Sequence, residues 1–241
     1  MKPKILISSC LGFEKCRYNG EVINFELFEI MKDHIDFLPI CPEVAIGLTI
    51  PRDSLRIIKN GDDYHLVQSS TNKDLTKDMR DYANKISEEI KDIDGIILKG
   101  RSPSCGIKDV KVYSGLSNSP VIGKTKGIFA EELLDKYKYL PIEEEGRLLN
   151  LEIREHFFTK LYVLFDYKNI HKRDSIKALT DFHANNKYLY FAYDQIQKNK
   201  LGQIAANRDK KQLNEVYDEY FKELNKLFSK LPSKENYINS F

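Results

Sequence analysis

Three β-branched apolar runs each lead toward a cysteine: KILISS (4–9) into Cys10, FLPI (37–40) into Cys41, and GIILKG (95–100) followed closely by Cys105. Helix-like segments separate them. NFELFEIMKDH (24–34) carries apolar residues at 25, 27, 28, 30 and 31, with Asn24 as its N-cap. Residues 74–92 align Leu75, Met79, Tyr82, Ile86 and Ile90 at spacings of three and four. This alternation predicts an open, mostly parallel, Rossmann-like sheet with crossover helices. In such a sheet the loops beyond the carboxyl ends of the strands share one crevice. Cys10, Cys41 and Cys105, remote in sequence, therefore converge.

The rest of the first half elaborates that unit. LRIIKNGDDYHLVQ (55–68) reads as a β-hairpin about Asn60-Gly61, a dipeptide that tolerates the positive φ angles of a tight turn. IFAEELLDKY (128–137) reads as a helix and YLPI (139–142) as a last strand. Glu143-Glu144-Glu145-Gly146 reads as the linker to a second domain, and beyond it the character changes. Residues 151–229 hold one glycine, Gly202, and no proline, and EIREHFFTKLYVLFDYKN, DSIKALTDFHANNKYLYFAYD and NEVYDEYFKELNKLFSKL read as amphipathic helices rich in Tyr and Phe. The expected organisation is an α/β domain over 1–142 and an all-helical domain over 143–241.

Composition narrows the function classes. Apolar residues at 41% build a core, charged residues make up 31%, and no apolar run approaches the roughly 18 residues of a membrane span. MKPKILISSC enters strand-like sequence without an apolar leader segment, so a cytoplasmic location without membrane association is expected. There the four cysteines, at 10, 16, 41 and 105, stay reduced rather than forming structural disulfides. Net charge is +2, yet residues 168–211 hold ten Lys and Arg against four Asp and Glu. A basic stretch of this kind is either a solvated set of helix faces or an RNA surface. The candidate phosphate contacts are Lys172, Arg173, Lys177 and Lys187, with tyrosines either stacking on bases or forming the core. His183 reads as a buried hydrogen-bonding histidine.

Three thiolates are one short of a closed tetrahedral zinc site or a fully protein-held cluster, and soft sulfur suits zinc or iron–sulfur. The bland reading is three small buried hydrophobes. Their settings, SSCLG (8–12), CPE (41–43) and RSPSCG (101–106), are rich in Ser, Gly and Pro, which favours ligands. Glu43, two residues after Cys41, is the candidate base toward water, since a carboxylate taken out of water becomes a stronger base. Ser102 and Ser104 flank Pro103 as hydroxyl donors or turn-formers. Ser9, Arg17, Tyr18 and Ser104 are the candidate substrate contacts, with Arg52 as a further cation. Cys16, six residues after Cys10, is close enough to be a fourth ligand, a reserve thiol or a spectator, and the reading here is against ligation.

SSCLG with CRYNG, CPEVAIGLTIPR and LKGRSPSCG, in this order, resemble the thiouracil desulfidase family over roughly residues 1–142. EEEGRL and DFHANNKYL (181–189) resemble the helical YbgA-like domain often fused to it, as in desulfidases of 4-thiouridine in tRNA. The resemblance implies a [4Fe-4S] cluster held by Cys10, Cys41 and Cys105, with one iron open to the sulfur of a thiolated uracil. It also implies Glu43 as acid/base and Ser102 as its serine partner, in a reaction without net electron transfer. The YbgA-like domain normally continues through a longer tail, which bears on the RNA surface more than on the chemistry. Three alternatives stand beside this. One is a desulfidase of free thiouracil or a thiolated nucleotide, and another a non-catalytic iron–sulfur or zinc sensor. A nucleotide-binding Rossmann enzyme is disfavoured because no GxGxxG follows the first strand.

Overall fold

The computed structural model describes residues 1–116, 119–172 and 175–232, and the chain divides into two units, Met1–Phe157 and Phe158–Phe241. In chain order the first unit contains β1 (Lys4–Ser8), α1 (Glu26–Met31), β2 (Asp36–Ile40), α2 (Pro42–Ala45), β3 (Leu55–Asn60), β4 (Asp63–Gln68), α3 (Thr76–Glu89) and β5 (Gly95–Leu98). β6 (Val110–Tyr113), β7 (Val121–Thr125), α4 (Ile128–Lys136) and β8 (Ile142–Glu144) complete its strands and crossover helices. A 3₁₀ turn, Arg147–Leu149, leads to α5 (Leu151–His171), which begins in this unit and continues into the second.

The first sheet, ordered β2-β1-β5-β8, is parallel throughout, with Leu6 opposite Leu38 and Ile96. Ile5, Leu6 and Ile7 are buried in succession, as are Ile96, Ile97 and Leu98. A parallel strand covered on both faces needs such a run rather than alternation. The hairpin forms, but with Asn60 opposite Asp63 its turn residues are Gly61 and Asp62 rather than Asn60 and Gly61, and the positive φ, +61°, falls on Gly61. It is also more than an insertion. β3 pairs in parallel with β6, and β6 antiparallel with β7, giving a second, mixed sheet ordered β4-β3-β6-β7. The sequence reading assigned no strand to 110–125, because VKVY is only four residues long and VIGKT is almost wholly exposed.

Both sheets and the helices α3 and α4 share one core, in which Leu6, Ile57, Leu66, Met79, Ile96, Phe129 and Leu133 are essentially inaccessible. Each such side chain contributes about 1.5–3 kcal/mol. Three local expectations are corrected. α1 has Phe25 at its N-cap and no side-chain cap, so Asn24 does not serve. The last strand covers Ile142–Glu144 rather than 139–142, because its pairing with β5 begins at Ile142 opposite Ile96. Glu143, Glu144 and Glu145 are consequently not a linker, and the boundary expected after 142 falls inside β8.

The second unit is helical: the remainder of α5, then α6 (Ile176–Tyr193), α7 (Gln195–Ala206) and α8 (Leu213–Leu227). α7 is an addition to the three helices read from sequence. Asp194 leaves helical geometry at φ −163° and its carboxylate accepts the Gln197 N–H at 2.9 Å, ending one helix and capping the next. Tyr167, Tyr190, Tyr217 and Tyr220 are buried here with Phe182 and Phe228, so these tyrosines are core. His183 shares a hydrogen bond with the Tyr220 hydroxyl at 3.1 Å, and burial holds its imidazole below the usual histidine range. Among the described residues, no helix is long and apolar enough to cross a membrane.

Candidate active site

Parallel strand order delivers the cysteines to one place. β1 ends at Ser8, and the Ser9 N–H donates to the Ile40 carbonyl at 2.8 Å, so Cys10 and Cys41 leave adjacent strands side by side. Pro42 opens α2 directly after Cys41, where its missing N–H costs nothing. Cys105 arrives on the loop after β5. The Ser102 hydroxyl oxygen accepts the N–H of Ser104 at 3.2 Å and of Cys105 at 3.1 Å, while α4 fastens the loop from the other side. Ile128 N–H donates to the Pro103 carbonyl and Ala130 N–H to that of Ser104. Gly127 is required for this approach, since a Cβ there would lie 2.4 Å from the Ser104 carbonyl oxygen.

A cavity of about 280 Å³ opens at this end of the sheet, and Cys10, Cys16, Cys41 and Cys105 all line it. None is in a disulfide. The neighbouring Cys10 thiol, with burial, pushes the Cys16 thiol up to about 11, although Cys41 opposes the shift. The Cys41 thiol is raised well above its usual range by Cys16 and by burial, and the Cys105 thiol by burial and by the Glu43 charge. Raised thiols of this kind at Cys16, Cys41 and Cys105 favour the neutral form unless a cation holds the sulfur as thiolate.

Glu43 also lines the cavity, and both of its carboxylate oxygens are held. Arg52 donates to Oε2 from Nε at 2.9 Å and Nη2 at 2.6 Å, and Ser104 Oγ donates to Oε1 at 2.9 Å. The Arg52 side chain is only 3% exposed and that of Glu43 13%. Nη2 of Arg52 reaches the Cys16 carbonyl as well, at 3.0 Å, tying the loop after β1 to α2.

Ser9, Arg17, Tyr18 and Ser102 line the cavity with the cysteines. Ser104 does not. It is fully buried with its hydroxyl on Glu43, so it supports that carboxylate instead of facing a substrate. Arg17 is paired with Glu21 at 3.2 Å. Arg52, read as a substrate cation, is committed to Glu43. Lys172, Lys177 and Lys187 are exposed on the helical unit, Lys177 lying 3.5 Å from Asp181 and Lys187 5.0 Å from the Tyr188 ring centroid. Arg173 lies outside the described residues.

Two supports escaped the sequence reading. Glu144 Oε1 accepts the Ile107 N–H at 2.7 Å, and Glu145 accepts the Gly100 N–H at 2.6 Å and the Lys99 ammonium at 2.5 Å. The acidic stretch taken for a linker therefore anchors the loop that carries Cys105. Its signal was a run of carboxylates directly after a strand in the same parallel sheet.

The donor set is compatible with a [4Fe-4S] group. Among the described residues no three His, Cys, Asp or Glu side chains gather as ligands of a single metal ion. A cluster asks for something different, because each thiolate bonds its own iron at a separate corner. Soft donors ringed round one cavity meet that demand better than the single-point demand of zinc.

Comparison with known proteins agrees with the resemblance. A second family model, described as a protein of unknown function (DUF1722), matches residues 187–241. The "Uncharacterized protein YbbK" of Bacillus subtilis (strain 168) is 35% identical over 109 residues, which is 42% of this chain and 72% of that protein. A solved structure of a [4Fe-4S]-dependent thiouracil desulfidase, TudS, is 26% identical at a TM-score of 0.46, covering 64% of this chain and 97% of that one. The family model described as 2-thiouracil desulfurase matches residues 5–145, well over half the chain, and takes in every cysteine together with Glu43 and Ser102: the protein belongs to the 2-thiouracil desulfurase family of enzymes.

Proposed function

We propose that the chain removes sulfur from a thiolated uracil in the cytoplasm, converting C=S to C=O, and that its substrate is 4-thiouridine in tRNA. The observation that carries the chemistry is the meeting of Cys10, Cys41 and Cys105 with the Glu43–Arg52 pair in one cavity. Those three thiolates would hold a [4Fe-4S] cluster with one iron lacking a protein ligand, and that iron would supply a thiophilic Lewis acid able to polarise a thiocarbonyl.

The protein's own groups do the rest. Arg52 fixes the Glu43 carboxylate through Oε2, and Oε1, with Ser104 as its one hydrogen-bond donor, keeps a lone pair for a water. Glu43 takes a proton from that water as its oxygen attacks the thiolated carbon. That proton and the one left on the attacking oxygen both pass to the departing sulfur as the carbonyl forms, so a thiocarbonyl and water become a carbonyl and hydrogen sulfide, with no electron gained or lost. Ser102 accepts two backbone N–H groups, which leaves its own O–H to donate toward sulfur.

The tRNA assignment is supported by the basic excess over 168–211 and by the exposure of Lys172, Lys177 and Lys187. A second reading, a free thiouracil substrate, is favoured by the cavity volume of about 280 Å³, which the cluster would share and which leaves room for little more than a base. The test is anaerobic purification with iron and sulfide quantified, then incubation with 4-thiouridine RNA and with free 2-thiouracil. Loss of thiobase absorbance in the RNA arm is expected. Loss with the free base alone moves the assignment to the second reading, and loss in neither refutes desulfuration.

A further inference from the structure

A second cavity, of about 460 Å³, lies beside the first and shares Leu55, Arg101 and Pro103 with it as a common wall. Its remaining lining comes from the second sheet. Along β6, Val110 and Val112 point into the core, so Lys111 and Tyr113 point out. Lys124 stands opposite Lys111 on β7, and Arg56 joins them from β3. Four cations, Arg56, Arg101, Lys111 and Lys124, thus meet one carboxylate, Asp109, which pairs with Lys124 at 2.9 Å.

One of these cations is fixed by the fold. Arg56 donates to the Leu116 carbonyl at 2.9 Å and its guanidinium lies 4.8 Å from the Tyr113 ring centroid. A held guanidinium beside an aromatic ring, with the exposed ammonium groups of Lys111 and Lys124 around it, suits phosphate and ribose more than any apolar ligand. The sign of the charge and the shared wall with the cavity of Cys10, Cys41 and Cys105 identify the occupant.

We propose that this basic cavity seats the sugar-phosphate backbone next to the thiolated residue, so that the substrate is a thiolated uracil within an RNA strand. The assignment rests on the proposed desulfuration, and it locates RNA recognition on the second sheet in addition to the helical unit.

The experiment measures binding of a fluorescein-labelled 4-thiouridine RNA to the cluster-loaded full chain by anisotropy, without oxygen, over a series of salt concentrations. Lys111→Gln/Lys124→Gln removes two exposed cations without touching the core, and circular dichroism checks its fold. Each lost phosphate contact lowers the log–log salt slope by about 0.7 for a single strand, so the double variant is expected to lower it by about 1.4 and to weaken binding. Lys177→Gln/Lys187→Gln serves as the comparison pair on the helical unit. Affinity and slope equal to those of the unsubstituted chain, or no RNA binding by that chain, overturn the proposal. Unlabelled 4-thiouridine monophosphate and free 4-thiouracil are competitors. If the monophosphate displaces the RNA at equal concentration, the occupant is a mononucleotide and the strand assignment fails; weak competition by both supports it. Sulfide release is recorded in parallel. RNA binding that depends on Lys111 and Lys124 without sulfide release sinks the desulfuration reading alone, and sulfide release with binding indifferent to them sinks this inference alone.

Discussion

Replacing Arg52 by Met keeps the aliphatic stem and removes the guanidinium from Glu43. Two charge-assisted hydrogen bonds to Oε2, at 2.9 and 2.6 Å, disappear, and a carboxylate only 13% exposed is left with Ser104 alone. Breaking a buried pair by deleting one partner costs about 3–5 kcal/mol. Glu43 borders an open cavity, where water offsets part of the loss, so the expected cost is about 2–3 kcal/mol. Glu43→Gln strands the Arg52 cation in the same way. Combining the two removes both charges together, and the double variant should be about 1–3 kcal/mol more stable than the sum of the singles requires. Anaerobic urea unfolding followed by circular dichroism measures the cycle. Additivity within about 0.5 kcal/mol would show that Arg52 and Glu43 do not act as a pair and would refute the reasoning.

Glu43→Gln should lower turnover by about 10²–10⁴-fold while iron content stays normal, measured as sulfide release per loaded chain. Cys16→Ser should retain the cluster whereas Ser at Cys10, Cys41 or Cys105 should lose it; iron analysis and visible absorbance distinguish them, and cluster loss with Cys16→Ser would make that residue a ligand. Gly127→Ala, which forces a Cβ to within 2.4 Å of the Ser104 carbonyl, should displace the Cys105 loop and reduce iron incorporation along with the melting temperature. Burial of His183 lowers its proton affinity in the folded helical unit, so the unfolded chain binds more protons. The resulting stability is present above the ordinary histidine value of about 6.5 and lost as pH falls from there through the folded value. Unfolding midpoints across that range should decline with acid, and a His183→Gln variant should decline less.

How much of this was legible in sequence follows from which forces set each feature. The strand ending at Cys10 was legible because a parallel strand buried on both faces must be apolar without interruption, the edge strand ending at Cys41 because FLPI is apolar although only Ile40 of it is buried, and the hairpin because Gly61 supplies the positive φ of a tight turn. Convergence of the cysteines followed from strand order, a property of sheet topology rather than of local sequence. β6 and β7 were not legible, since four-residue strands with exposed positions carry too little periodicity. α7 was not legible for a related reason: QIQKNKLGQIAA, directly after the helix that ends at Asp194, holds few apolar positions and a central glycine, and only the Asp194 carboxylate capping Gln197 N–H marks its start. At the site, the residue types that carry chemistry were visible and their partners were not. Nothing in CPEVAIGLTIPR shows that Arg52 folds back onto Glu43 nine residues earlier, or that Ser104 turns from the cavity to the same carboxylate. The first pairing depends on how the loop after α2 turns and the second on a contact 61 residues apart that only the assembled sheet produces.

The central claim is that three cysteines hold a cluster whose remaining iron meets the sulfur of a thiolated base. Mössbauer spectroscopy of the ⁵⁷Fe-loaded chain, recorded before and after addition of 4-thiouracil, tests it most directly. The account predicts one iron site distinct from the others in the free enzyme, altered by the thiobase and unaltered by uracil. Equivalent irons, or a spectrum indifferent to the thiobase, would contradict it.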